Sequence, residues 1–157
     1  GLDASPRGDA AGFVEVADAR TLLLPDRRGN NRIDSLRNIL ADPRVALLFL
    51  IPGIGETLRV NGRAAISVAP ALLHRFAHEG RLPRSVLVVR VETAYFQCSR
   101  AVLRAGLWEP ERRLPRSALP STGTILADLA RGQQAGGGFD GEGYDRDLPG
   151  RIAATLY

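Results

Sequence analysis

The sequence predicts a mainly β, α+β protein: an antiparallel barrel carrying short helical additions. Two observations carry that reading. Residues 13–16 and 57–68 alternate apolar and polar side chains, and residues 85–98 form a long valine-rich run, as half-buried strands do. Helical spacing, by contrast, is confined to short stretches between these runs, so five or six strands face two or three helices. With 157 residues, 45% hydrophobic and 24% charged, one compact domain over 1–157 is expected, with 110–157 forming a C-terminal arm and helices.

Each element has a local cause. Residues 13–16 and 21–24 read as strands joined by a turn at Asp18-Ala-Arg20. Residues 25–32 are a polar loop with turn chemistry throughout, feeding a helix that Asn30 or Asn31 can cap. Ile33, Leu36, Ile39 and Leu40 give that helix an apolar stripe, and Asp42-Pro43 stops it. Residues 45–51 are continuously apolar and read as a strand buried on both faces or nearly so. Pro52-Gly53-Ile54-Gly55 turns the chain into residues 57–68, with Leu58, Val60, Gly62, Ala64 and Ile66 on one side. Residues 69–79 read as a helix bearing Leu72, Leu73 and Phe76. After Cys98 the spacing is helical, then 110–120 is an extended Pro- and Arg-rich arm, 125–129 is helical, 132–143 is glycine-rich and flexible, and 146–157 is a closing helix.

Composition removes several classes of function. One cysteine excludes an intramolecular disulfide framework, and one cysteine with two histidines makes a poor zinc set, so no metal site is expected. His74 and His78 sit four apart on a predicted helix without the Glu of a metalloprotease motif. The apolar run at 45–51 is far shorter than the ~20 residues a membrane helix needs, and residues 1–12 lack signal-peptide character. A soluble, cytoplasmic protein is the expectation. The net charge of +4 comes from 21 bases, all arginine, and only nine aromatic residues accompany them, which speaks against nucleic acid as a partner.

Three arginine clusters can carry chemistry. The sharpest is Asp26-Arg27-Arg28-Gly29-Asn30-Asn31-Arg32, where three guanidiniums and two amides meet at a predicted helix start. Planar forked donors beside helix N-terminal amides suit a phosphate, and the same run also reads as a solvated, charged turn. The second is Ser5-Pro6-Arg7-Gly8-Asp9, ahead of the first strand. In the third, Arg100, Arg104 and Trp108 recur every fourth residue and share one predicted helical face, as stacking on a planar anion would need. Cys98 has no histidine near it in sequence and reads as a packed, unreactive thiol. No Walker loop, nucleophile elbow or GxGxxG stretch occurs.

These residues carry a family resemblance. The segments Ser5-Pro-Arg-Gly-Asp9, Pro25-Asp-Arg-Arg-Gly-Asn-Asn-Arg32-Ile-Asp-Ser-Leu-Arg-Asn-Ile39, Leu47-Leu-Phe-Leu-Ile-Pro-Gly53, Glu56-Thr-Leu-Arg-Val-Asn-Gly-Arg63, Cys98-Ser-Arg-Ala101 and Arg104-Ala-Gly-Leu-Trp108 closely resemble the pyridoxamine 5′-phosphate oxidase-like flavoproteins. The bacterial branch of FMN-dependent enzymes is the nearest in pattern. The resemblance implies the FMN-binding split β-barrel, a homodimer with FMN between its subunits, and an opening helix and first strand upstream of Gly1. It also implies cofactor-binding roles. Asn31 and Arg32 hold the phosphate with help from Arg28, Ser35 and Arg7. Pro25 and Asp26 lie along the flavin ring, Thr57 and Arg59 face it from a hairpin, and Arg100, Arg104 and Trp108 come from the partner.

An FMN-dependent oxidoreductase is the implied activity, with hydride transfer to or from an unidentified small substrate and NAD(P)H or oxygen as second partner. The flavin then carries the chemistry, and no catalytic side chain is assigned. The oxidases' C-terminal Arg-Leu segment is not recognisable in 132–157, so the resemblance does not extend to pyridoxamine phosphate as substrate. Two alternatives share the fold: a deazaflavin-dependent reductase and a non-catalytic flavin-binding or storage protein.

Overall fold

The computed structural model describes residues 3–29, 32–132 and 138–156. They form two compact units, one ending at Trp108 and the other spanning Glu109–Leu156.

The first unit is built on a five-stranded, wholly antiparallel sheet. Its strands are β1 (Glu15–Asp18), β2 (Thr21–Asp26), β3 (Arg44–Phe49), β4 (Thr57–Ser67) and β5 (Ser85–Gln97), in the spatial order β1-β2-β5-β4-β3. The predicted first turn forms: Asp18 Oδ1 accepts the Arg20 N–H at 2.8 Å and closes the β1–β2 hairpin. The sheet is open, with β1 and β3 at its edges. An antiparallel sheet with short flanking helices is the predicted fold class.

Each face of the sheet is covered by one helix. On one face α1 (Asp34–Ala41) sets Ile39 and Leu36 against Leu24, Ala64, Leu87 and Val89. On the other α2 (Pro70–Arg75) brings Leu72 and Leu73, with Phe76 just beyond, onto Leu23 and Val86. Successive strand residues point to opposite faces, so Leu23 and Leu24 enter different cores, and β2 is buried from both sides.

Three local expectations are corrected. β3 is not doubly buried: it lies at the sheet edge, α1 packs over one face only, and Leu48 on the other stays 54% exposed. Leu40 is likewise turned outward at 76% exposure, so Leu36 and Ile39 are the helix's covering residues. The asparagines expected to cap α1 lie outside the described residues, and Ile33, at the cap position, makes no side-chain cap hydrogen bond. The helix expected over 69–79 ends at Arg75, because His78 and Arg81 exchange backbone hydrogen bonds of 2.9 Å across Glu79-Gly80. Both turn residues have positive φ, 48° and 77°, as a tight two-residue hairpin turn requires.

Beyond β5, α3 (Arg100–Ala105) stops at Gly106, whose φ of 57° is left-handed. Gly106 N–H donates to the Leu103 carbonyl and Leu107 N–H to that of Val102, each at 3.1 Å, a Schellman ending. Trp108 therefore leaves the helix, and the single helical face expected for Arg100, Arg104 and Trp108 does not form.

In the second unit two 3₁₀ turns, Pro110–Arg112 and Arg116–Ala118, interrupt the arm expected to be extended. Two helices follow, α4 (Thr122–Gly132) and α5 (Gly141–Thr155). They approach at Gly123 and Gly141, where a Cβ on Gly123 would lie 2.0 Å from the Gly141 carbonyl oxygen. The Asp140 side chain caps α5 by accepting the Gly143 N–H at 2.8 Å, so part of the expected glycine-rich loop is helical and the closing helix starts earlier than residue 146. Residues 133–137 of that expected loop lie outside the described residues. Among the described residues no helix is long and apolar enough to cross a membrane.

Candidate functional site

The site is built where β2 ends. Antiparallel pairing sets Asp26 opposite Ser85, and the Arg84 N–H extends the ladder by donating to the Asp26 carbonyl at 2.9 Å. The N-terminal segment is held alongside by two ion pairs: Arg7 to Asp26, and Arg27 to Asp9. Both are well shielded, the Asp9 side chain being 4% exposed and that of Asp26 14%. Arg27 also donates to the Phe76 carbonyl at 3.2 Å, which ties the loop to the residue after α2. Charged groups this far from water need partners, and each carboxylate has one.

A cleft of about 410 Å³ opens between these pieces, lined by the 5–9 segment, residues 25–29, Arg32, Leu36 and Arg84. Five arginines (Arg7, Arg27, Arg28, Arg32 and Arg84) and two aspartates line it, an excess of three positive charges. Arg32 is exposed and bonds Asp34 at 2.8 Å; that hydrogen bond first, and the charges of Asp34 and Asp3 after it, raise its pKa above the ordinary arginine value. Arg28 and Arg84 make no side-chain hydrogen bond or ion pair among the described residues. Such a lining has the chemistry to hold an anion.

A second cleft of about 520 Å³ shares Ser5, Pro6 and Arg7 with the first and runs between α1 and β3 over Leu24, Ile39, Leu47 and Leu87. Ser35 lies here, donating to the Asp3 carboxylate.

The residues expected from sequence to bind cofactor divide accordingly. Arg7, Pro25, Asp26, Arg28 and Arg32 come together around the first cleft. Ser35 lines the second. Asn31 lies outside the described residues. Thr57 and Arg59 stand at the opposite end of the sheet, paired with Gln97 and Tyr95. A 13-residue strand rising ~3.3 Å per residue puts its ends about 40 Å apart, so these two do not reach the cleft of their own chain. Arg100, Arg104 and Trp108 follow β5 at that same far end, where Trp108 Nε1 donates to the Ile54 carbonyl at 2.7 Å.

Sequence reasoning did not single out Arg84, and it did not pair Arg27 with Asp9. Arg84 is remote in sequence from residues 26–32, and the one signal that could find it is the β2–β5 pairing. Cys98 is exposed, not packed. Among the described residues no three His, Cys, Asp or Glu side chains cluster as metal ligands would.

An open antiparallel sheet with a helix on each face, and an arginine-rich cleft at one end, defines an α+β protein of the split-barrel class. Residues 1–98, which contain the whole sheet and the cleft, match the sequence model of pyridoxamine 5′-phosphate oxidase, and the chain belongs to the pyridoxamine 5′-phosphate oxidase-like family. Members of this family commonly bind a flavin or a haem-like ligand, and often dimerise. Among solved structures, the chain is similar to HupZ of Group A Streptococcus, at 20% identity and a TM-score of 0.45 over 55% of this chain and 70% of that one. A histidine-to-alanine variant of HupZ matches at 19% identity and a TM-score of 0.44, over 54% and 73%. No curated protein matches the chain.

Proposed function

We propose that this protein is an FMN-dependent oxidoreductase that passes a hydride between bound FMN and a small substrate. The observation that supports it is the cleft at the end of β2, where five arginines face two aspartates in a chain whose family commonly binds flavins. The donor set fits the phosphate of FMN. Guanidiniums bind a dianion through paired N–H groups, and both aspartates are already engaged by Arg7 and Arg27, so they do not repel it.

In this reading Arg28 and Arg32 bind the phosphate, with Asn31 between them in sequence. Arg7 is held by Asp26 and orients the cleft wall; Pro25 and Asp26 form its floor. Bound FMN would supply the hydride chemistry. The chain's part is to bind and position it: no His, Cys or Tyr lines the cleft among the described residues, and both its carboxylates are ion-paired. Thr57, Arg59, Arg100, Arg104 and Trp108, at the opposite end of the sheet from the cleft, serve the same ligand only if a second copy of the chain presents them. A homodimer with the cofactor at its interface is therefore part of the proposal, with NAD(P)H or oxygen as second partner.

The lack of a poised acid or base in the cleft equally favours a second reading, a flavin-binding or storage protein; a deazaflavin with a phosphate-bearing tail is a third. Titration of the purified protein with FMN, followed by anaerobic NADH or NADPH, separates them. Binding with bleaching of the flavin absorbance supports the oxidoreductase. Binding without bleaching by either nucleotide supports the store, and failure to bind FMN while a deazaflavin binds supports the third.

A further inference from the structure

Arg84 belongs to no motif in the sequence, yet it lines the cationic cleft. We propose that Arg84 is a phosphate ligand of this cleft and sets its preference for phosphorylated over unphosphorylated flavin. This rests on the FMN reading above.

Three observations carry it. The first is anchorage. Pro83 is buried, and the Arg84 N–H is bonded to the Asp26 carbonyl at 2.9 Å, one residue before β5 begins. The backbone of Arg84 is thereby fixed to the residue whose carboxylate holds Arg7. A long side chain mounted on a rigid strand end loses less freedom on binding than one on a mobile loop.

The second is the allocation of partners around the cleft. Asp26 engages Arg7, Asp9 engages Arg27, and Asp34 engages Arg32. Arg84 and Arg28 engage no side chain or carbonyl among the described residues. Both aspartates that line the cleft are committed to other arginines, so no cleft carboxylate competes for the Arg84 donors.

The third is electrostatic. Arg28, Arg32 and Arg84 line one cleft and repel one another. Folding gains nothing from that repulsion, and an anion among them relieves it. A phosphate dianion accepts forked hydrogen bonds from several planar guanidiniums at once. Riboflavin has the same ring system without the phosphate, so it takes no benefit from Arg84.

FMN and riboflavin titrations, read by flavin fluorescence, test this on the wild-type chain and on Arg84→Ala, Arg84→Gln and Arg84→Lys. Hydrogen bonds to charged groups imply that the Ala and Gln variants lose at least about tenfold in FMN affinity. Their riboflavin affinity stays within about twofold, and Lys restores part of the FMN preference. Three results would overturn the assignment. If Arg84→Ala leaves both the FMN and the riboflavin affinity at their wild-type values, Arg84 is no phosphate ligand and the FMN reading stands without it. If both flavins weaken equally, Arg84 acts on the fold. If the wild-type chain binds FMN no better than riboflavin, the phosphate site itself is wrong, and the functional reading falls with it.

Discussion

Gly62 lies so close to Arg90 on the neighbouring strand that a Cβ at position 62 would fall 2.1 Å from the Arg90 carbonyl oxygen. The cause is a bulge. Asn61 pairs with Thr93 and Gly62 with Val91, which leaves Glu92 without a backbone pairing partner on β4 and bends the two longest strands together. Substitution by alanine forces backbone against backbone, and no side chain can turn aside. Gly62→Ala is expected to destabilise the first unit by about 1–3 kcal/mol, the usual range for overpacking. Chemical denaturation measures it, and an unchanged midpoint would mean that the bulge is not closely packed.

The Arg7–Asp26 pair holds the N-terminal segment to the end of β2. Removing Arg7 leaves a carboxylate that is 14% exposed without its partner. Arg7→Ala should cost about 1–3 kcal/mol, and Arg7→Ala with Asp26→Ala should cost less than the sum of the single changes, because the second removes the orphan left by the first. Strict additivity in a double-mutant cycle would contradict the pairing.

Trp108 donates its indole N–H to the Ile54 carbonyl in the turn between β3 and β4. Close by, a Cβ on Gly55 would lie 2.6 Å from Ser99 Cβ, so the turn and the start of α3 are packed together. Trp108→Phe removes the donor and keeps an aromatic ring. A loss of about 0.5–1.5 kcal/mol is expected, with faster amide exchange at residues 53–55. Exchange left unchanged there would show that the indole does not hold the turn.

Asp42 should contribute to the acid sensitivity of the fold. The Arg44 side-chain hydrogen bond, followed by the Arg44 backbone N–H, holds its carboxyl down from 3.8 to about 2. A carboxylate depressed in the folded state stabilises that state above its unfolded pKa and loses the contribution as pH falls through the folded one. The affected window therefore runs from near pH 4 to about 2. Asp42→Asn should flatten the stability profile within this window and leave its shape above pH 5 unchanged. An identical acid limb in the variant would assign the sensitivity elsewhere.

Much of this protein is legible locally. Alternation at 57–68 and the valine run at 85–98 mark β4 and β5, because the two faces of a strand recur at every second residue. The turn at Asp18-Ala-Arg20 forms for an equally local reason, an aspartate accepting the N–H two residues on. The arginine cluster from Asp26 to Arg32 can be read as an anion site because the chemistry of a guanidinium does not depend on the fold.

Strand order is not local, and it decided the rest. An apolar run such as 45–51 looks the same in the middle of a sheet as at its edge, and only the order β1-β2-β5-β4-β3 exposes Leu48. The arginines at 100 and 104 share a composition with those at 28 and 32, but the length of β5 holds the two groups apart. Conversely, pairing β2 with β5 brings Arg84 to Asp26 across a separation that no periodicity records. The amino-acid sequence alone determined the family, the strands and the arginine-rich loop. Tertiary structure selected which arginines share a cleft, since backbone pairing between distant segments sets which strand ends meet.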